Sequence, residues 1–176
     1  MKNRGIFYFR PTDEDQQWGL YGTGAGHGDY GAGEPYPASL HARKYLREQW
    51  EKGRVLDEFQ LVYIHRGQGT LRYKRGTQER EEEVKAGDLF ILFPGVWHTY
   101  SPYSQTGWEE YWVGFQGEWA ERLFHRDIIG GGEVIIHQLE SKWLRSFFED
   151  LIQTLRKMPQ NPQKDMRHRI IQLLES

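Results

Sequence analysis

Apolar and polar residues alternate through the middle of the chain, which predicts a series of β-strands. The clearest stretch is EFQLVYIHRGQGTLRYKRG, residues 58–76, in which Gly67-Gln68-Gly69 predicts a reversal and therefore a β-hairpin. A charged run at 78–85 has the pattern of a solvated sheet edge. After it, the turn Ala86-Gly87-Asp88 leads into the apolar strand LFILF, which ends at Pro94-Gly95.

A further strand is predicted at 109–115, with Glu110, Trp112 and Gly114 on one face. One helical turn at 118–125 and a short strand in EVIIH, residues 133–137, follow it.

The periodicity becomes helical in SKWLRSFFEDLIQTLRKMP, residues 141–159, and Pro159 ends this helix. A second amphipathic pattern starts near Asn161 and runs out at Ser176 without a capping residue, so we expect the natural chain to continue. Many short strands followed by helices predict an α+β, mainly β fold. Its body is a small antiparallel β-barrel or double-sheet roll, and two C-terminal amphipathic helices follow.

Two segments before the first clear strand are less regular. Residues 22–37, GTGAGHGDYGAGEPYP, hold six glycines and two prolines and predict an irregular arm or loop. The stretch ARKYLREQW, residues 42–50, fits either a strand with Arg43, Tyr45 and Arg47 on one face or a short helix. These patterns divide the chain into an N-terminal arm (1–40), a barrel (41–138) and C-terminal helices (139–176).

Composition narrows the class of protein. The 23 basic and 25 acidic residues nearly balance, so the bulk charge does not favour a polyanion or an anionic membrane as partner. The absence of cysteine excludes disulfides, thiolate zinc sites and cysteine nucleophiles. No signal peptide or membrane-spanning stretch is evident, so we expect a soluble cytoplasmic protein. Seven Trp, ten Tyr and nine Phe suit either a ligand pocket or an aromatic-rich β core.

The spacing Gly87-Asp88 to Pro94-Gly95-x-x-His98 resembles the second signature of the cupin superfamily. Metal-bearing cupins supply two histidines one residue apart and a glutamate from the first signature. The corresponding stretch here, YIHRGQGTLRY, holds only His65, so we expect no metal and no cofactor. No P-loop, G-x-S-x-G or H-E-x-x-H pattern occurs, and Glu109 and Glu110 point to opposite faces of one strand. A catalytic apparatus is not evident.

The order of motifs resembles the N-terminal ligand-binding and dimerisation domain of AraC-type transcription regulators. FQLVYIHRGQGTLRY, AGDLFILFPGVWHTY, WEEYWVGFQG and two amphipathic helices succeed one another over residues 55–176. The resemblance implies a cupin-like antiparallel β-barrel that binds an effector, commonly a sugar, and a helical region that dimerises. It also implies a C-terminal helix-turn-helix domain that binds DNA and is missing from this sequence.

The resemblance also nominates ligand-binding residues. In the arabinose-responsive member, a tryptophan of a W-V-x-F strand stacks on the sugar, and the matching residue is Trp112. Glu110 occupies the position of a polar contact, and Tyr100 that of a tyrosine contact. An arginine before the first hairpin matches Arg43, Arg47 or Arg54, and we favour Arg47. The predicted ligand-binding set is Trp112, Tyr100, Glu110, His98, Arg47 and Tyr45.

We therefore expect a non-enzymatic domain that senses a monosaccharide and forms a homodimer through its C-terminal helices. The apolar stripe that includes Trp143 and Phe147 favours that dimer, and packing within one chain is its alternative. A stand-alone cupin sugar isomerase or epimerase, using His98, Tyr100 and Glu110 as acid–base groups, is the competing hypothesis. A third hypothesis is that the barrel is empty and that the domain serves only dimerisation.

Overall fold

The computed structural model describes residues 5–37, 50–125, 133–139, 142–157 and 162–174. Nine strands lie in this part of the chain: β1 (Gly5–Tyr8), β2 (Tyr21–Tyr30), β3 (Arg54–Val55), β4 (Phe59–Arg75), β5 (Gln78–Lys85), β6 (Leu89–Leu92), β7 (Trp97–Pro102), β8 (Trp108–Gln116) and β9 (Ile135–Ile136). Its helices are α1 (Asp13–Gln17), α2 (Glu118–His125), α3 (Lys142–Lys157) and α4 (Gln163–Leu174).

Two antiparallel sheets share the long strand β4. The first runs in the order β1-β2-β8-β4-β6-β9 and uses the first half of β4, from Phe59 to Gly67. The second half of β4, from Gln68 to Arg75, pairs with β5 on one side and β7 on the other. The predicted fold class, an α+β double-sheet roll followed by two amphipathic helices, is confirmed.

The predicted hairpin at Gly67-Gln68-Gly69 is wrong, because β4 continues through these residues and turns only after Arg75. The glycines are needed where the strand passes from one sheet to the other. Gly67 has a φ of 85°, and a Cβ atom there would lie 2.2 Å from the carbonyl oxygen of Gly107. At Gly69 a Cβ atom would lie 2.1 Å from the carbonyl oxygen of Ser101. Close packing of backbones, and not a reversal, explains this glycine pair.

The prediction of an irregular segment at 22–37 is wrong for residues 22–30, which form most of β2 between β1 and β8. The reason is the large side chain that lies against this strand. A Cβ atom at Gly26 would lie 2.4 Å from Nε1 of Trp112, its partner on β8, and one at Gly24 would also contact the indole. Glycine leaves the space that the Trp112 ring fills.

Side-chain alternation separates two cores. Residues such as Val62, Ile64 and Trp112 face the space between the sheets, which we call the inner core. Their neighbours Leu61, Tyr63, Tyr111 and Val113 face outwards and pack against α3 and α4, together with the buried helix residues Leu144, Phe147, Phe148, Leu151, Ile152, Leu155, Met166, Ile170 and Leu173.

The predicted helices at 141–158 and from 161 onward are confirmed within the described residues, as are the solvated strand at 78–85, the strands at 89–92 and 109–115 and the helical turn at 118–125. α4 is fixed to β2 by the Gln163 side chain, which donates to the Gly22 carbonyl (2.8 Å) and accepts from the Gly22 N–H (3.0 Å). None of the described helices has the length and apolar character needed to cross a membrane.

Candidate functional site

The inner core contains a group of polar and aromatic side chains between β8, β7 and the start of β4. Trp112 and Glu110 lie on the inward face of β8, and both are almost fully buried, at 4% and 2% exposure. Tyr100 points inward from β7 and contacts the Trp108 and Phe90 rings. The structure therefore brings together Trp112, Glu110, Tyr100 and His98, four of the six residues nominated from the sequence.

Glu110 is a carboxyl group enclosed by aromatic rings. Burial raises its pKa to about 8, although the hydrogen bond from the Tyr36 hydroxyl and the Arg54 charge act in the opposite direction. The Tyr36 hydroxyl donates to Oε2 at 2.9 Å. At neutral pH Glu110 is thus mostly protonated, and it can donate one hydrogen bond as well as accept others.

Arg54, His98 and Tyr100 form a hydrogen-bonded chain beside Glu110. The Arg54 Nε donates to His98 Nε2 at 3.3 Å, and its Nη2 donates to the Tyr100 hydroxyl at 3.2 Å. Since a guanidinium only donates, His98 Nε2 must accept, so the ring proton is on Nδ1 and points to the Val96 carbonyl at 3.0 Å. Burial, followed by the Arg54 charge, lowers the pKa of His98 to about 4, and the ring is neutral at pH 7.

Two aromatic residues that sequence reasoning did not nominate complete the group. The Trp50 indole N–H donates to the Tyr100 carbonyl at 2.7 Å, and the Arg54 guanidinium stacks on the Trp50 ring at 3.5 Å. Tyr36 packs edge-on against both Trp50 and Trp108. Two features of the sequence could have indicated these residues. Tyr36 lies between two prolines, and Trp50 lies four residues before Arg54.

The space left among these side chains is small. A cavity of about 10 Å³ is bordered by Trp112, Tyr100, Trp50 and Arg54, with Tyr8, Leu56, Glu58 and Gln60 closing it. A larger and more polar groove of about 470 Å³ shares Trp50 and Tyr100 with it and adds Tyr36, Thr99 and Ser101. Trp50 and Tyr100 therefore lie between the groove and the Trp112 ring.

The other two nominated residues, Arg47 and Tyr45, lie outside the described residues, as does Arg43. Arg54, the third candidate arginine, donates hydrogen bonds to His98 and Tyr100. His65 faces the opposite side of β4, where its ring lies 6.5 Å from that of Tyr111. Within the described part of the chain, no group of three or more His, Cys, Asp or Glu side chains is placed to hold a metal ion.

A comparison with protein families identifies the class of protein. The family described as AraC-like ligand binding domain matches residues 40–174, which is more than half of the chain. The chain therefore belongs to this family.

One curated relative is the MmsAB operon regulatory protein of Pseudomonas aeruginosa, 36% identical over 90 residues, which cover 51% of this chain and 29% of the relative. The match thus spans less than a third of the relative's length.

Among solved structures, YhaK from Escherichia coli is similar with a TM-score of 0.46, at 14% identity over 66% of this chain and 45% of that one. Oxalate decarboxylase from Bacillus subtilis at pH 4.6 is similar with a TM-score of 0.42, at 13% identity over 88% of this chain and 32% of that one.

Proposed function

We propose that this chain is the effector-sensing domain of an AraC-type transcription regulator and that its effector is a monosaccharide bound beside Trp112. The observation that supports the proposal is the inward-facing set of Trp112, Glu110 and Tyr100 in a domain of the AraC-like ligand binding family. An indole face suits the C–H face of a pyranose, and a protonated carboxyl next to a phenol both donates and accepts hydrogen bonds to hydroxyls.

Binding requires side chains to move, because a cavity of about 10 Å³ is smaller than any sugar. Trp50 and Tyr100 lie between the polar groove and Trp112, so displacement of the Trp50 ring admits the ligand. The ligand hydroxyl then takes the place of the Tyr36 hydroxyl on Glu110. The effector acts through its difference in affinity for the two arrangements, typically about 1–3 kcal/mol in allosteric proteins.

DNA binding and dimerisation belong to the same proposal. DNA is contacted by a helix-turn-helix domain of the whole regulator, and the family relative, an operon regulatory protein, supports this role. Most of the apolar stripe of α3 is buried within the chain, which leaves Trp143, 44% exposed, as its outward apolar residue among those described. A homodimer through the C-terminal helices is therefore proposed around Trp143. The setting is the cytoplasm, where DNA is accessible.

A binding role explains the polar group better than acid–base catalysis does. Both nitrogens of His98 are engaged by Arg54 and Val96, and burial raises the pKa of the Tyr100 hydroxyl. Neither of these two groups is poised to exchange a proton near pH 7, so Glu110, with a pKa of about 8, has no acid–base partner among the three groups that an isomerase or epimerase would use. We therefore propose a non-enzymatic sensor in preference to an isomerase or epimerase.

Isothermal titration calorimetry with a panel of monosaccharides tests the proposal. We expect one sugar to bind wild type and to bind Trp112→Ala at least about tenfold more weakly, which corresponds to roughly 1.4 kcal/mol. Trp119→Ala is the matched control, because Trp119 is 55% exposed on α2 and should leave the affinity unchanged. Equal binding by wild type and Trp112→Ala would contradict the assigned site.

A further inference from the structure

A further cavity is lined by residues of both sheets and shares only His98 with the polar group beside Trp112. We call it the β6 pocket, and its volume is about 220 Å³. Its walls combine β6 and the following residues with Tyr73 and His98 of the second sheet. The lining residues are Tyr73, Lys74, Arg75, Gly76, Ile91, Leu92, Phe93, Val96, His98 and Val134. None of these borders the small cavity beside Trp112.

The size and walls of the β6 pocket suit a compact apolar group. An engineered cavity of about 150 Å³ holds benzene, with six heavy atoms, so the same ratio gives space here for about eight or nine. Ile91, Leu92, Phe93, Val96 and Val134 supply an aliphatic and aromatic lining. His98 adds no charge to the inner wall, because its ring is neutral and both nitrogens are already hydrogen-bonded.

The mouth of the pocket is positively charged. Alternation along β4 places Arg75 on the same face as Tyr73. Among the described residues the Arg75 side chain has no hydrogen bond or ion pair, whereas Arg72, on the opposite face, is bound to Glu79. Arg80 also lies near Tyr73, while Glu82 accepts a hydrogen bond from the Tyr73 hydroxyl at 3.0 Å. Two cationic side chains, Lys74 and Arg75, and no carboxylate are thus among the residues that line the pocket itself.

We propose that the β6 pocket binds a small monocarboxylate with a compact aliphatic body. The apolar body lies against Leu92, Val96 and Val134, and the carboxylate receives paired hydrogen bonds from Arg75. A bound acid also touches His98, which accepts a hydrogen bond from Arg54. The pocket is thereby connected to the polar group beside Trp112, although the two sites are separate.

Calorimetry with cyclopentanecarboxylate and its uncharged analogue cyclopentanecarboxamide tests this site, since both have eight heavy atoms. We expect wild type to bind the acid at least about tenfold more tightly than the amide. Arg75→Gln should reduce acid binding to the level of the amide. Arg72→Gln, which also removes one positive charge from β4, should bind the acid as wild type does.

Two further variants separate this site from the monosaccharide site. Val134→Phe fills the β6 pocket and should abolish acid binding, with its melting temperature as a check on folding. Trp112→Ala should bind the acid normally even where it loses the sugar. Absence of acid binding by wild type, equal binding of acid and amide, or an Arg75→Gln variant that binds like wild type would overturn the proposal. Failure of every sugar to bind, with acid binding intact, would contradict only the proposed effector.

Discussion

A Glu110→Gln substitution is expected to stabilise the protein increasingly as the pH rises from 5 to 8. The pKa of Glu110 is about 8 in the folded protein, against 4.5 as its ordinary value. Between pH 4.5 and about pH 8, Glu110 retains its proton in the folded protein but has released it in the unfolded chain. The free energy of unfolding therefore falls as the pH rises. The contribution of Glu110 is fully present below pH 4.5 and is lost by about pH 8.

The size of the effect follows from the pKa difference. At pH 7, which is about 2.5 pH units above the ordinary pKa, keeping Glu110 protonated costs roughly 3 kcal/mol at about 1.36 kcal/mol per unit. At pH 5 the same cost is only about 1 kcal/mol. Glutamine does not titrate, and its amide oxygen can still accept the hydrogen bond that Tyr36 donates to Oε2 at 2.9 Å.

Urea unfolding followed by tryptophan fluorescence at pH 5, 6, 7 and 8 measures this difference. The stability of Glu110→Gln relative to wild type should grow by about 1 kcal/mol per pH unit between pH 5 and 7 and level off near pH 8. Arg72→Gln, on the outer face, serves as a control that should show no such slope. A difference that stays constant with pH would mean that Glu110 is ionised in the folded protein, and the reasoning would be refuted.

Three other predictions concern Glu109, Gly26 and Trp143. The hydrogen bond from His27 lowers the pKa of Glu109 to about 2. Glu109→Gln should therefore destabilise the protein above pH 4.5. In acid-unfolding curves, the loss of stability relative to wild type should disappear as the pH falls through about 2. Gly26→Ala should cost about 1–3 kcal/mol in urea unfolding, and much less in a Trp112→Ala background, because the added Cβ meets the indole; equal costs in the two backgrounds would count against that contact. Light scattering should show a dimer for wild type and a monomer for Trp143→Glu, and a wild-type monomer at high concentration would exclude the dimer.

Local pattern determined much of this protein. The alternation at 109–115 correctly placed Glu110 and Trp112 on one face, because neighbouring side chains of a strand point to opposite sides of the sheet. The helical spacing at 141–158 correctly predicted α3, because its apolar residues recur every three or four positions on one face. The motif order also led from the sequence to the AraC-like ligand binding family.

Other features were decided only by contacts between distant parts of the chain. In the sequence, the glycines of β2 predict a loop. In the structure they lie in a strand, because the Trp112 side chain of the neighbouring strand fills the space next to them. The glycines at 67 and 69 predict a turn in the sequence. In the structure they lie where one strand passes from the first sheet to the second. The protonation of Glu110 depends on the aromatic residues that enclose it, and these come from separate segments. Periodicity reports which face of an element is buried, whereas partners, close approaches and pKa values depend on what is packed against that face.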